Sequence, residues 1–410
     1  MGYRRYSIVI CLLAILVFAG GVPRTTKAET VMNWQDTLEL AKGQTVDWYM
    51  WGGSTAVNAY VNGYLAKEVK SRFDITLRQV PVNDIAEVVS KLVVEKQAGK
   101  KSHGSVDLMW INGENFRTCK KLDLLYGPFA DQLPNQQYVD WTSASVKNDF
   151  GTPVDGMESP WGSAQMVMIY DSARTPEPPK SIEALLAWIK GHPGKFTYPA
   201  PPDFTGSVFL RHIFYHAAGS SSKWQGDYTE QDFATATQAT YAILNDLKSS
   251  LWRKGATYPD SPVRMNTLFA DGEIDFSFSY HQGEASRNIL DGLFVDTVRT
   301  FVFEEGTIAN THFVAIPFNA EDKAGAMVVA DFLLSPEAQI EKATPGVWGD
   351  FPAISTDRLS KEWQERFKTL PRGVATLGDE ELQSHQLPEP PSKILISLEK
   401  GWQQHVLKNR

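Results

Sequence analysis

Apolar side chains recur along this chain with two alternating periods. Residues 45–50 (Thr-Val-Asp-Trp-Tyr-Met) are a strand-forming run that stops at Trp51-Gly52-Gly53-Ser54. Val57, Tyr60, Val61, Tyr64, Leu65 and Val69 then fall at helical spacing, and residues 74–80 return to the two-residue period of a strand. Asn83 is placed to cap a helix with Ile85, Val88, Val89, Leu92 and Val93 on its apolar stripe. Residues 105–111 predict a third strand, and a helix follows from about Phe116. Strand, helix, strand, helix, strand predicts a parallel sheet covered by helices.

The middle of the chain repeats the alternation. Strands are predicted over 164–170, 195–198, 274–280, 298–303 and 312–316. Helices are predicted over 182–190, 207–218, 230–250 and 263–270, with Ser181 as a cap and Gly219 as a stop. Beyond Lys323 the pattern is mostly helical, and it ends in an amphipathic helix from Ser392. The proline-rich stretches 175–179 and 387–391 read as linkers.

The first 28 residues follow a different rule. Arg4 and Arg5 precede a nearly unbroken apolar run, and Thr26-Lys27-Ala28 follows it, the layout of a signal peptide cleaved before Glu29. The run, about 15 residues, is shorter than the ~20 that cross a bilayer as a helix. The expected protein is therefore exported to the periplasm, away from ATP and NAD. Cys11 leaves with the leader, so Cys119 stands alone and cannot form an internal disulfide. The remaining 382 residues predict two domains, and their 36 basic against 48 acidic side chains argue against nucleic acid and anionic membrane partners.

Candidate chemistry collects where predicted strands end. Trp51-Gly-Gly-Ser, Asn112-Gly-Glu-Asn, Pro202-Asp-Phe-Thr-Gly, Tyr280-His-Gln-Gly and residues 307–311 each combine glycine with an aromatic or small hydroxyl and an amide or acid. In open α/β sheets ligands sit outside these carboxyl ends, and such a mixture suits a polar, aromatic-lined cleft.

Residues 110–116 (Trp-Ile-Asn-Gly-Glu-Asn-Phe), 196–206 and 306–317, with Ala-Asp-Phe-Leu-Leu-Ser-Pro-Glu-Ala-Gln at 330–339, resemble the extracellular solute-binding proteins of ABC importers. The likeness is to the type II group that includes iron, thiamine and polyamine binders, and runs from about Trp34 to the C-terminus. It implies an α/β, two-lobed periplasmic-binding-protein-like fold with a hinge between the lobes. The expected division is signal peptide 1–28, first lobe 29–159 plus 287–330, second lobe 160–286, and C-terminal helices 331–410 packing on both. It further implies a non-enzymatic, monomeric carrier without cofactor that hands a small polar or cationic solute to a membrane permease and its cytoplasmic ATPase. The chain lacks the paired tyrosines of the iron binders.

Trp51, Asn112, Glu114, Asn115, Trp161, Asp203, Thr205, Tyr280 and Asn310 are the expected ligand-binding residues, since each lies at a strand end or a lobe crossing. The aromatics offer stacking or cation–π surface, and Glu114 and Asp203 offer negative charge. Asp203 equally fits an N-cap, and the helix start beyond it equally fits an anion. Trp348 is a weaker aromatic candidate. His212 and His216 stand four apart but have no third ligand at metal spacing. Asp271, Glu273 and Asp275 read as a turn before a strand. An exported carboxylate enzyme, a glycoside hydrolase or lyase, and a ferric-iron or anion binder of the same fold remain open as alternatives.

Overall fold

Val46, Trp48 and Met50 are fully covered while their neighbours are not, so Thr45–Trp51 is a strand with one face on a core. It is β1 of a computed structural model that describes residues 33–408. The leader, its cleavage point and Cys11 lie outside those residues. The other strands are β2 (Thr76–Val82), β3 (Leu108–Ile111), β4 (Glu158–Gln165), β5 (Val167–Asp171), β6 (Phe276–Ser279), β7 (Val298–Phe301), β8 (Thr307–Ala315) and β9 (Gln386–Pro388).

Two sheets result. The larger runs β9-β8-β3-β1-β2, with β4 also on β8. β1 is parallel to β2 and β3, while β8 is antiparallel to β3 and β4 and parallel to β9. The smaller sheet is antiparallel, in the order β6-β5-β7. The chain leaves the larger sheet between β4 and β5, where only Met166 intervenes, and returns between β7 and β8. These crossings, with a later one from β9 into the helix Ser392–Trp402, join two lobes, each with its own apolar core. Trp48, Leu65, Leu108, Trp161 and Phe332 mark the larger, and Ile169, Phe209, Phe278, Leu398 and Trp402 the smaller.

Eight helices position the residues discussed below: α1 (Thr55–Ala59), α2 (Gly113–Lys121), α3 (Phe204–Ala218), α4 (Glu230–Leu247), α5 (Glu284–Leu290), α6 (Lys323–Leu333), α7 (Pro336–Ala343) and α8 (Ser392–Trp402). A π-helical segment, Tyr60–Leu65, carries α1 onward into Ala66–Phe73. The Asp203 carboxylate accepts the Gly206 N–H at 2.8 Å and starts α3 three residues earlier than the apolar run suggests, while Gly219, at φ 70°, ends it. Helices α4 and α8 cover α3, and the Trp402 indole donates to the Tyr198 hydroxyl at 3.0 Å.

Several expectations need correction. Residues 195–198 are irregular, because the Trp252 and Asp275 N–H groups bond their carbonyls singly without forming a ladder. The strand expected at 164–170 is two strands broken at Met166. The one expected at 312–316 starts at Thr307, since β4 and β9 both pair with its first half. Residues 387–391 are not a linker: the proline sits on the edge strand β9, where a missing N–H is tolerated. The sheets also cut the chain differently from the expected lobe limits. β4 spans the 159/160 cut yet belongs wholly to the larger sheet, and β7, expected in the first lobe, pairs with β5 in the smaller.

His212 fastens α3 to the returning strand. Its Nδ1–H donates to the Val208 carbonyl at 2.8 Å, and its Nε2 accepts the Ile308 N–H at 3.0 Å, which fixes a neutral ring. Burial lowers its pKa from 6.5 to about 4. Because the unfolded chain then binds more protons between those values, stability supported by this ring is present above pH 6.5 and is lost as pH falls toward 4. Comparing wild type with His212→Gln in urea melts, the stability gap should narrow by up to about 3 kcal/mol across that window. Parallel pH profiles would refute the assignment.

Candidate functional site

Helix α3 is buried almost all round, and in its middle stands Arg211, fully covered between apolar neighbours. A guanidinium is not kept from water without a partner. The partner is Glu389, just beyond β9, at 2.9 Å from Nε to Oε2. The Arg211 Nη2 donates to the Tyr280 hydroxyl at 2.9 Å and to Glu389 Oε1 at 3.3 Å, and Nη1 donates to Ser207 Oγ at 2.8 Å. Tyr280, at the end of β6, donates its hydroxyl to the same Glu389 oxygen, and Asn310 Nδ2 on β8 donates to it at 3.1 Å. Ser207 passes the network on to Glu399 of α8 at 2.5 Å. The rings of Phe150 and Phe204 flank the guanidinium at 5.8 and 5.7 Å, and Phe204 lies 5.0 Å from Tyr280 between centroids.

Negative charge exceeds positive around this arginine. Burial raises the Glu389 pKa, and Arg211 opposes it. Burial also raises Glu399, to about 7, against its Ser207 bond, and the like charges of Glu114 and Asp203 add to the rise. Glu114 is raised by burial, within reach of Arg211, Asp84 and Glu389. Asp203 is raised by burial and partly held down by the Gly206 and Thr205 N–H groups. Glu389 thus contacts the guanidinium, Glu114 and Glu399 lie within its electrostatic reach, and Asp203 adds like charge beside Glu399.

The expected residues divide. Tyr280 and Asn310 join the Arg211–Glu389 network, and Glu114 lies within its electrostatic reach, while Asp203 and Thr205 stand at the start of α3, where the Asp203 carboxylate and the Thr205 N–H serve the cap. Asn112 stands just before α2 without a side-chain capping bond and donates its Nδ2 to the Thr311 carbonyl at 2.6 Å, and Asn115 is half-buried on the first turn of that helix. Trp161 is fully buried, in contact with Trp48, Trp110 and Trp348 at centroid distances of 5.0, 4.9 and 5.2 Å. In this conformation its ring is core, not cleft wall. Trp51 stands apart at the end of β1, 47% exposed, its indole lying over Gly53. Its loop is held by an amide relay: Asn62 donates to Gln79 at 2.5 Å, Gln79 to Asn58 at 2.6 Å, and Asn58 to the Gly52 carbonyl at 2.9 Å.

A second polar group lies two residues along β8. His312 stacks on Trp348 and approaches the Asp350 carboxylate at 3.5 Å, while Lys342 pairs with Asp350 at 2.5 Å. Lys342 and both histidines, His312 and His281, hold Asp350 at about 2 against its burial. Nearby, an open groove of about 460 Å³ is lined by Thr55, Ala56, Tyr60, Tyr64, Arg287 and Val347, among others.

Arg211, Glu389, Phe150 and Phe204 are the residues that sequence reasoning missed. Arg211 leaves a usable signal, a lone cation inside an apolar helical run. Glu389 leaves none, because its role depends on β9 joining the sheet. Among the described residues no cluster of histidine, cysteine and acid is arranged to hold a metal, and both nitrogens of His212 are committed to the backbone. Cys119 is a buried thiol, its pKa pushed up to about 12 by desolvation. Glu273 accepts the Trp252 indole N–H at 2.9 Å, and Asp271 precedes a turn at Gly272, so this acidic stretch is structural.

Comparison with known proteins fits this architecture. Residues 64–369 match the family described as bacterial extracellular solute-binding protein. Protein YnjB of Escherichia coli (strain K12) is 39% identical over 371 residues, which cover 90% of this chain and 93% of that protein. A spermidine/putrescine transporter substrate-binding protein, PotD from Streptococcus pneumoniae, superposes with a TM-score of 0.62 at 15% identity, covering 88% of this chain and 99% of the other. The apo ferric ion-binding protein A of Pasteurella haemolytica gives 0.61 at 13%, covering 89% and 98%. A periplasmic thiamin binding protein gives 0.59 at 16%, covering 88% and 96%. At these identities the structures share a fold, the two-lobed periplasmic-binding-protein type. The family match and the 39% relative go further, and this chain belongs to the bacterial extracellular solute-binding proteins.

Proposed function

We propose that this protein is the periplasmic binding subunit of an ABC importer and captures a small cationic solute between its lobes for delivery to a membrane permease with a cytoplasmic ATPase. The observation that carries the ligand class is the surplus of Glu114, Asp203, Glu389 and Glu399 over Arg211, walled by Phe150, Phe204 and Tyr280. A solute cation relieves the repulsion among these acids and gains aromatic faces. Asn112, Asn115, Thr205 and Asn310 supply polar contacts, and Trp51, exposed on the larger lobe, closes over the solute as the hinge bends. The polyamine and thiamin binders of the same fold support a cationic ligand.

Titration calorimetry with putrescine, spermidine and thiamine, and with ferric ion and phosphate as competitors of other chemistry, tests this reading. Saturation at one ligand per chain without turnover is expected, and consumption of the ligand would establish an enzyme instead. A ligand at ~100 times its Kd should add about 2.7 kcal/mol of apparent stability. Trp51→Ala should weaken binding by about 1–2 kcal/mol through lost stacking. Asp203→Asn keeps the cap and removes the charge. It and Glu114→Gln should each lower affinity for a cation severalfold, about 1 kcal/mol, while unchanged or improved binding would mark the ligand as an anion.

A further inference from the structure

The groove beside α1 is distinct from the Arg211 cluster. Its flat wall is Tyr60 and Tyr64, stacked at 5.8 Å and 15° on the π-helical segment. Its charged walls are Glu341 on α7 and Arg287 on α5. α7 packs with the larger core, and α5, through Ala285, with the smaller, so the groove straddles the lobes. Arg287 is only partly committed. Its Nε pairs with Asp291 at 2.8 Å, and Nη1 donates to the Gly346 carbonyl at 2.9 Å, with those of Pro345 and Val347 at 3.4 Å. Nη2 has no hydrogen-bond partner among the described residues.

Glu341 is half-buried, yet among the described residues no donor or cation meets its carboxylate. Its charge acts on both groove tyrosines, so it faces them rather than bulk water alone. Arg287 and Glu341 thus line one groove without pairing with each other. Two opposite charges held apart on an aromatic floor complement a molecule that carries opposite charges at its own two ends.

We propose that this groove binds a small zwitterion, its ammonium on Glu341, its acidic group on the free Arg287 Nη2, and its aliphatic stem across Tyr60 and Tyr64. The site stands independently of what the Arg211 cluster holds. Three probes on one carbon skeleton test it by calorimetry on the full chain: δ-aminovalerate, cadaverine and glutarate. δ-Aminovalerate should bind, and glutarate should bind at least about tenfold more weakly, since it places a like charge against Glu341. Cadaverine, which also suits the acids around Arg211, should bind without loss in Glu341→Gln, since it does not use the groove. Glu341→Gln keeps shape and breaks no existing bond, and should weaken δ-aminovalerate about tenfold. Arg287→Gln should do the same, though it also frees the 345–347 turn. Glu341→Lys leaves two cations facing the groove and should make glutarate the preferred probe. Failure of wild type to bind δ-aminovalerate, glutarate binding as tightly as δ-aminovalerate, cadaverine losing as much as δ-aminovalerate in Glu341→Gln, or a Glu341→Gln variant that binds δ-aminovalerate like wild type would overturn the proposal.

Discussion

The buried Arg211 charge constrains everything around it. Taking a guanidinium and a carboxylate out of water costs several kcal/mol each, which their attraction offsets only when the remaining donors and acceptors are also met. Tyr280, Ser207 and Asn310 supply hydrogen bonds to the pair here, and each comes from a different element. The ion pair therefore forms only when α3, the end of β6, the first half of β8 and the segment after β9 are in place together. Residues distant in sequence are fixed to one point by one charge.

β8 distributes that constraint. Asn310 belongs to the Arg211 network and His312 to the Asp350 group, and a two-residue step on a strand puts both on the same face. Both edges of β8 are paired, with β3 and β9 on one side and β4 on the other, so neither residue can move without disturbing the larger sheet. The smaller lobe meets this frame at several polar points, among them Arg211 and Tyr280, His212 on the Ile308 N–H, the Tyr280 carbonyl on the Gln165 N–H, and Arg287 on the 345–347 carbonyls. A hinge motion between the lobes breaks or keeps a few polar contacts while each apolar core stays closed.

The parts of this fold that local pattern governs were legible in the sequence. A strand-forming run at 45–50 marked β1, and capping by Ser181 and a left-handed Gly219 bounded their helices. Tyr280 and Asn310, singled out at glycine-rich strand ends, lie at the end of β6 and within β8. What depends on distant partners was not. β9 carries a proline and looks like a linker until β8 lies beside it. Trp161, beside a glycine, has the local signature of a cleft residue, but three other tryptophans enclose it. The lobe limits failed for a similar reason, since strand membership is decided by the neighbouring strand and not by the run itself.

The strand order also sets the time at which the protein becomes itself. The larger sheet opens with β1 near residue 45, but β8 supplies one neighbour to β3 and the neighbour of β4, and β8 in turn waits for β9 at residues 386–388. A growing chain holds an unfinished sheet until nearly all of it has been made, because pairings of such long sequence separation close late. Until β9 is made, the first half of β8 lacks a neighbour on one side, and the larger sheet keeps an open edge.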